Sequence, residues 1–379
     1  MKLIHLSDLH IGKRLHEKSF LDDQKHILNQ ILEICKREQP DAVLIAGDVY
    51  DKSIPSGEAV TLFDDFLFAL SELGKDVFII SGNHDSPERL SFGGRLMKKA
   101  KIHLSPVYNG TVEPISLSDE FGEVEIYMLP FIKPTHVRQY YGEETIESYT
   151  DAMRVAIEKM HVDPSQRNVI ITHQFITNAA TCDSEEVSVG GTDQVDARVF
   201  DDFDYVALGH IHGPQWVERE TIRYCGTPLK YSFSEAKDQK SVTVVELAQK
   251  GSLSVRTVPL VPMRDMVEIK GKYEEIMLKS FYENTSYTED YVHVTLTDEE
   301  DIVDAIGKLR SVYHNLMRLD YDNTRTRKAV QVEGAAEVET KSPLVLFSDF
   351  YELQNNQPMS EAQRAFVEEL IEQVWEGKE

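Results

Sequence analysis

The strongest constraint on this chain is a series of short apolar runs, each ended abruptly by Gly, Asp, Asn or His. Leu3-Ile4-His5-Leu6 runs into Asp8-Leu9-His10, and Ala42–Ala46 into Gly47-Asp48-Val49-Tyr50-Asp51. Val77–Ile80 runs into Gly82-Asn83-His84-Asp85, Val169–Thr172 into His173, and Tyr205–Leu208 into Gly209-His210-Ile211-His212. These runs have strand length, and an unbroken apolar run such as Ala42–Ala46 suits a strand buried on both faces. Helical spacing lies between them: Phe20, Gln24, Ile27, Ile31 and Cys35 share a stripe, and a second helix is predicted near Glu58 to Leu73. Further strands are predicted at Val124 to Leu129 and Ile222 to Cys225, with half-exposed antiparallel ones at Val242 to Leu247 and Val255 to Val258. Alternating strand and helix signals predict an α/β domain with a largely buried sheet. In such sheets ligands bind beyond the carboxyl ends of strands, so clusters far apart in sequence can converge.

The clusters offer Asp8, His10, Asp48, Asn83, His173, His210 and His212 as metal donors, with His84 left over. Two-metal hydrolases hold their ions about 3.5–4 Å apart, and a bridging carboxylate can hold both. Asp48, which ends the most buried strand, is the candidate bridge. Mixed imidazole and carboxylate donors suit manganese, iron or zinc, whereas magnesium prefers oxygen alone. Asp51 either orients a ligand histidine or caps the following turn. The other eight histidines, including His5, His103 and His293, are expected to be structural or exposed. One such cluster arises readily by chance; five in series, each after an apolar run, do not.

The sequence has 379 residues and a net charge of -25, and its three cysteines are far apart. Neither a disulfide framework nor a cysteine zinc site is expected, and a reducing cytoplasm is the simplest location. No apolar run approaches membrane-spanning length. A protein that grips nucleic acid unaided usually carries a basic face. An acidic chain must bring divalent cations to the phosphates or borrow positive surface from a partner; the alternative is that the charge serves solubility alone.

Four segments emerge from the patterning: a catalytic domain over 1–262, a small α+β module over 263–321, a polar linker over 322–342 and a helical tail over 343–379. In the module, Val267-Glu268-Ile269 and Tyr291–Leu296 read as strands, and Ile302, Ile306, Leu309 and Val312 as a helical stripe. In the tail, Leu344, Phe347 and Tyr351 share one face. Ser360 with Gln363 forms a capping box before a stripe containing Phe366, Leu370 and Val374. These apolar faces either fold back on their own domain or dock onto a partner.

Asp8-x-His10, Gly47-Asp48-x-x-Asp51, Gly82-Asn83-His84-Asp85, His173 and Gly209-His210-x-His212 resemble the motif series of the calcineurin-like metallophosphoesterase superfamily. The resemblance implies a β-sandwich flanked by helices. It implies that Asp8, His10, Asp48 and His212 hold one ion, and Asp48, Asn83, His173 and His210 the other. His84 would contact the scissile phosphate and can also protonate the leaving oxygen, and Asp85 would orient His84. A cation-activated hydroxide would then attack phosphorus in line.

Longer stretches, such as Cys225-Gly226-Thr227-Pro228-Leu229-Lys230-Tyr231-Ser232-Phe233 and Leu346-Phe347-Ser348-Asp349-Phe350-Tyr351, are similar to the bacterial SbcD family of nuclease subunits. That similarity implies a manganese-dependent double-strand exonuclease that also opens DNA hairpins, acting in DNA repair and recombination. It implies a coiled-coil ATPase partner of the SbcC type, two copies of each subunit, a capping role for 263–321 and partner docking by the tail. Lys13, Arg14, Arg89 and Lys230 sit beside site motifs and are candidate phosphate contacts, the alternative being solvated surface charge. The polar segment Cys182 to Asp196 reads either as a mobile loop near the site or as a plain surface loop. Two rival functions are a phosphatase with the same metals, which would have little use for the module and tail, and a non-catalytic DNA-end scaffold, which would have no reason to hold every ligand.

Overall fold

The computed structural model describes residues 1–16, 18–185, 193–331, 343–355 and 357–376, in two units, Met1–Met263 and Arg264–Glu379. The first unit contains two six-stranded sheets. One is built from β1 (Lys2–Leu6), β2 (Ala42–Ala46), β3 (Asp76–Ile80) and β4 (Ile102–Leu104), with β11 (Ser241–Leu247) and β12 (Leu253–Pro259), in the order β12-β11-β1-β2-β3-β4. The other holds β5 (Ile115–Asp119), β6 (Gly122–Leu129), β7 (Arg167–His173), β8 (Tyr205–Gly209), β9 (Gln215–Val217) and β10 (Arg219–Tyr224), in the order β9-β10-β8-β7-β6-β5. Strands β1 to β4 run parallel to one another, as do β6, β7, β8 and β10. The apolar runs make these central strands, while the antiparallel neighbours lie toward the edges.

The sheets face each other across a core in which Leu3, Leu44, Phe78 and Ile80 meet Ile126, Val169, Ile171 and Ala207. This is the sandwich that the resemblance implies. Every residue of β2 and of β7 is buried, which is why neither run alternates. Two helices, α1 (Leu21–Glu38) and α2 (Gly57–Ser71), contact each other and bury Ile27, Leu28 and Ile31 and Phe63, Phe66 and Leu67 respectively. A third, α3 (Tyr149–Glu158), packs Ala152, Met153 and Ala156 into a second core with Ile170, Val206 and Leu208. The sequence reading overlooked α3, although Ser148 and Asp151 form a capping box at its start, with Ser148 Oγ accepting from Asp151 N–H at 3.1 Å.

In the second unit, β13 (Met266–Gly271), β14 (Tyr291–Leu296) and β15 (Leu316–Tyr321) form a parallel sheet. Its core includes Ile269, Val292, Val294, Leu309 and Tyr313. The strand β15 was not anticipated. The predicted helical stripe is also displaced: Asp304 takes φ 52°, α4 (Ala305–Arg310) starts only after it, and Ile306 faces outward while Ala305 and Leu309 are buried. Part of the supposed linker is helical, α5 (Thr324–Gln331), because Asn323 Oδ1 accepts from Thr326 N–H at 3.1 Å and caps the first turn; residues 332–342 lie outside the described set. The tail forms α6 (Pro343–Asn355) and α7 (Glu361–Glu376). The capping box is present, with Ser360 N–H donating to Gln363 Oε1 at 2.9 Å and Gln363 N–H donating to Ser360 Oγ at 3.3 Å. Among the described residues no helix is long and apolar enough to cross a membrane.

Candidate metal centre

The parallel strands deliver the motifs to one edge of the sandwich, but the strand ends alone would not aim them. Side chains along a strand alternate between faces. Here the chain breaks that alternation with left-handed residues: Asp8 at φ 52°, His10 at 43°, Asp48 at 48° and His210 at 107°. Non-glycine residues held there cost on the order of 1–3 kcal/mol each, and such strain clusters at functional sites. Neighbouring loops hold the strained turns. Asp8 N–H donates to Gly47 O at 3.0 Å, His10 N–H to Asp48 O at 2.9 Å, and Ile11 N–H to Val49 O at 2.9 Å. The motif glycines permit the close approach: a Cβ on Gly82 would stand 2.7 Å from Asp48 Cγ, and one on Gly209 would stand 2.7 Å from His173 Nδ1.

All seven candidate donors and His84 come together. Oxygens of Asp8 and Asp48 and a nitrogen of His173 lie within 4.8 Å of one another, as do ligand atoms of Asp8, His10 and His212, and of His10, Asp48 and His84. His10 Nε2 is 3.2 Å from His212 Nε2 and 3.7 Å from Asp48 Oδ2. Asn83 Oδ1 lies 2.9 Å from His173 Nε2 and 3.0 Å from His210 Nδ1, and His173 Nε2 is 3.4 Å from Asp48 Oδ2. Asp48 is therefore central. His173 donates from Nδ1 to Ala46 O at 2.9 Å, which leaves Nε2 for the centre. Nitrogen and oxygen donors converging in a buried space fit divalent cations.

His84 stands at the rim. Its N–H donates to Asp48 Oδ1 at 2.9 Å, its Nδ1 donates to Asp51 O at 3.1 Å, and its Nε2 faces inward, 3.9 Å from Asp48 Oδ2. This corrects the expected role of Asp85. Asp85 accepts from the N–H groups of Gly82, Val49 and Tyr50 at 3.0–3.1 Å. It clamps the two loops that carry Asp48 and Asn83, while the Asp51 carbonyl orients His84. Asp51 itself pairs with Lys13 at 2.8 Å, its Oδ1 lying 3.8 Å from His10 Nδ1.

The basic candidates divide. Lys13 is tied to Asp51, and Lys230 donates to Ala236 O at 2.7 Å, so both have structural partners. Arg14 and Arg89 are exposed, Arg89 in a short helical turn (Pro87–Leu90) that comes directly after His84 and Asp85. Of the segment Cys182 to Asp196, residues 186–192 lie outside the described set. Its start is anchored, with Glu185 Oε1 accepting from His212 N–H at 2.6 Å. His5 is structural as expected, bonded to Tyr205 Oη at 2.9 Å and Leu208 O at 3.2 Å.

Several supports of the site lie outside the motifs. Gln24 Nε2 donates to His10 O at 2.7 Å and to Tyr231 Oη at 2.9 Å, while Tyr231 Oη donates to Leu9 O at 2.8 Å. Gln24 was read only as part of a helical stripe; a buried amide amid apolar residues was the available clue.

Burial dominates the electrostatics. It raises the Asp8 carboxyl to about 7 and Asp85 to about 6, and lowers His10 and His210 to about 3. Burial also opposes charge on His173 and Asp48, but here their mutual attraction wins: His173 rises to about 9 and Asp48 falls well below the usual carboxylate range. Without a cation, the centre thus holds a proton on His173 beside the Asp48 carboxylate, where a metal ion would otherwise supply positive charge.

Residues 1–214 match the calcineurin-like phosphoesterase family, and residues 262–355 match a family described as the type 5 capsule protein repressor C-terminal domain. The chain is 33% identical over 378 residues to the SbcD subunit of the SbcCD nuclease of Staphylococcus epidermidis, covering 98% of each chain. It is 29% identical over 375 residues to the corresponding subunit from Staphylococcus saprophyticus, again covering 98% of each. Among solved structures, a dimetal phosphatase from Danio rerio aligns with a TM-score of 0.40 at 10% identity, covering 69% of this chain and 98% of that one. With the phosphoesterase match over more than half its length and the staphylococcal nuclease subunits aligned nearly end to end, the chain belongs to the calcineurin-like phosphoesterases and, within them, to the SbcD family.

Proposed function

We propose that this chain is the nuclease subunit of a DNA-processing complex, hydrolysing phosphodiesters at a two-cation centre. The observation that carries the proposal is the convergence of Asp8, His10, Asp48, Asn83, His84, His173, His210 and His212 from five strand ends. Asp8, His10, Asp48 and His212 would hold one cation; Asp48, Asn83, His173 and His210 would hold the other. Manganese suits this donor mixture better than magnesium. When bound, the cations supply a hydroxide at neutral pH and neutralise charge on the phosphoryl oxygens.

The protein's own groups do the rest. His84 directs Nε2 into the site and is fixed there through Nδ1 to the Asp51 carbonyl. It is placed to contact the scissile phosphate and to hand a proton to the departing oxygen. Asp85 keeps the Asp48 and Asn83 loops in register.

The substrate is double-stranded DNA ends and hairpins, cut exonucleolytically and endonucleolytically, and the site of action is the cytoplasm. The net charge of -25 means that the DNA path takes positive charge from bound cations and from a partner. That partner is an SbcC-type coiled-coil ATPase, two copies with two of this chain. Phe347, Phe350, Phe366 and Leu370 are exposed on α6 and α7 and support docking there; the side chain of Val374 lies outside the described residues. Exposed Phe68, Phe92 and Leu96 on the first unit support a homodimer of the nuclease domain, which sedimentation at micromolar concentration would test: a monomer throughout would rule it out.

The deciding experiment is manganese-dependent cleavage of a labelled hairpin duplex by wild type and His84→Ala. Wild type should cut, and the variant should be slower by about 10²-fold or more, the scale of losing one transition-state hydrogen-bond donor. Equal rates would remove His84 from the mechanism. Failure of wild type to cut even with the ATPase present, while it hydrolyses a small phosphodiester, would reject DNA as substrate.

A further inference from the structure

We propose that Ser184 and Glu235 are positioning residues for His212, forming a hydrogen-bond chain that commits His212 Nε2 to cation binding. The proposal rests on the metal centre described above.

Counting protons shows why. Ser184 Oγ lies 2.6 Å from Glu235 Oε1 and 2.6 Å from His212 Nδ1. A carboxylate only accepts, so the single hydroxyl proton goes to Glu235. Toward His212, Oγ must then accept, so Nδ1 carries the proton. A neutral imidazole has one N–H. Nε2 is therefore bare, and it is the nitrogen that faces His10 Nε2 at 3.2 Å. The remaining lone pair of Ser184 Oγ meets Cys182 Sγ at 3.0 Å.

Glu235 is itself held as a carboxylate. It is fully buried, and Lys240, also buried, donates to its Oε2 at 2.5 Å; Thr227 Oγ1 adds a bond at 3.3 Å. Lys240 Nζ also donates to His212 O at 2.9 Å. A buried ion pair stabilises a fold little in comparison with apolar packing, so its presence directly behind a ligand histidine calls for another role. Metal-bound histidines commonly donate their second nitrogen to a carboxylate, which fixes the tautomer and raises ligand basicity. Here a serine is interposed, and that serine comes from a different segment.

The consequence is a dependence between two parts of the chain. His173 obtains the same fixing from a backbone carbonyl of β2, an element that cannot leave. His212 instead relies on Cys182–Glu185, which reaches it through Ser184 and through Glu185, whose Oε1 and Oε2 accept from His212 N–H and Cys182 N–H, both at 2.6 Å. Undocking that segment would weaken one cation position and leave the other intact.

The test titrates full-length wild type, Ser184→Ala and Ser184→Thr with manganese alone, following free ion by electron paramagnetic resonance. Wild type should take up two ions. Ser184→Ala should weaken one of them by about 10–100-fold, the range for loss of such a partner, with the other unchanged and the melting temperature preserved. Ser184→Thr, which keeps the hydroxyl, should restore binding. Unaltered binding by Ser184→Ala, or equal weakening of both ions, would overturn the proposal. A wild type that binds no manganese would overturn the metal centre itself and the proposal with it.

Discussion

Replacing Gly82 by alanine adds one methyl group at the point where two ligand loops touch. Gly82 does not occupy the left-handed region, so alanine carries no backbone penalty and the effect is purely one of space. The new Cβ would stand 2.5 Å from Asp48 N and 2.7 Å from Asp48 Cγ, where ordinary contact begins at 3.4 Å. Asp48 Oδ1 would stand closer still, so the backbone of the two loops must separate by about 1 Å and the Asp48 carboxylate must move further. They cannot slide apart freely, because Asp85 bonds to Gly82 on one side and to Val49 and Tyr50 on the other. The strain falls on Asp48, which faces His10, His84 and His173 at once. A displacement of about 1 Å at a reacting centre can cost on the order of 10²-fold in rate, and overpacking costs about 1–3 kcal/mol of stability. We expect Gly82→Ala to remain folded, to bind manganese more weakly and to hydrolyse a small phosphodiester such as bis(p-nitrophenyl) phosphate with kcat/KM lower by about 10²-fold. Gly57→Ala, where an added Cβ meets nothing within 4 Å, should behave as wild type. A folded Gly82→Ala protein with wild-type kcat/KM and manganese affinity would refute the idea that contact between these loops sets the position of Asp48.

Three further outcomes are expected from the same centre and from the tail. A cation needs His173 neutral and Asp8 ionised, whereas the metal-free groups sit near 9 and 7. Manganese binding should then release about two protons at pH 6 and about one at pH 8, with affinity rising over that range; calorimetry in buffers of different ionisation enthalpy measures this, and zero release at pH 7 would refute the assignment. The proton on His173 also stabilises the metal-free fold. Its folded value lies above the ordinary 6.5, so that contribution is complete below pH 6.5 and lost as pH rises through about 9. Deleting 343–379 should abolish co-purification with the ATPase while leaving manganese-dependent phosphodiester hydrolysis intact; continued co-purification would refute docking by α6 and α7.

The sequence alone picked out the candidate donors that the fold gathers in one place. Asp8, His10, Asp48, Asn83, His173, His210 and His212 were legible because buried parallel strands leave unbroken apolar runs, and the residues just after each run must lie at a strand end. The helices α1 and α2 were legible for the same kind of reason, a local periodicity. Tertiary structure decided everything that depends on partners distant along the chain. The pairing of β1 with β11, where Lys2 lies opposite Glu246, leaves no local trace in either strand. Asp85 looked like a partner for the adjacent His84, yet it bonds to backbone groups of Val49 and Tyr50 across a loop junction. Nothing near Lys230 in the sequence announces that its ammonium donates to the Ala236 carbonyl, in the turn just beyond it. Ser184, Glu235 and Lys240 carry no motif at all. A hydrogen bond has direction and a reach of about 3 Å, so it is specified by the final placement of two atoms, whereas burial acts on whole stretches of chain and leaves its period in the sequence.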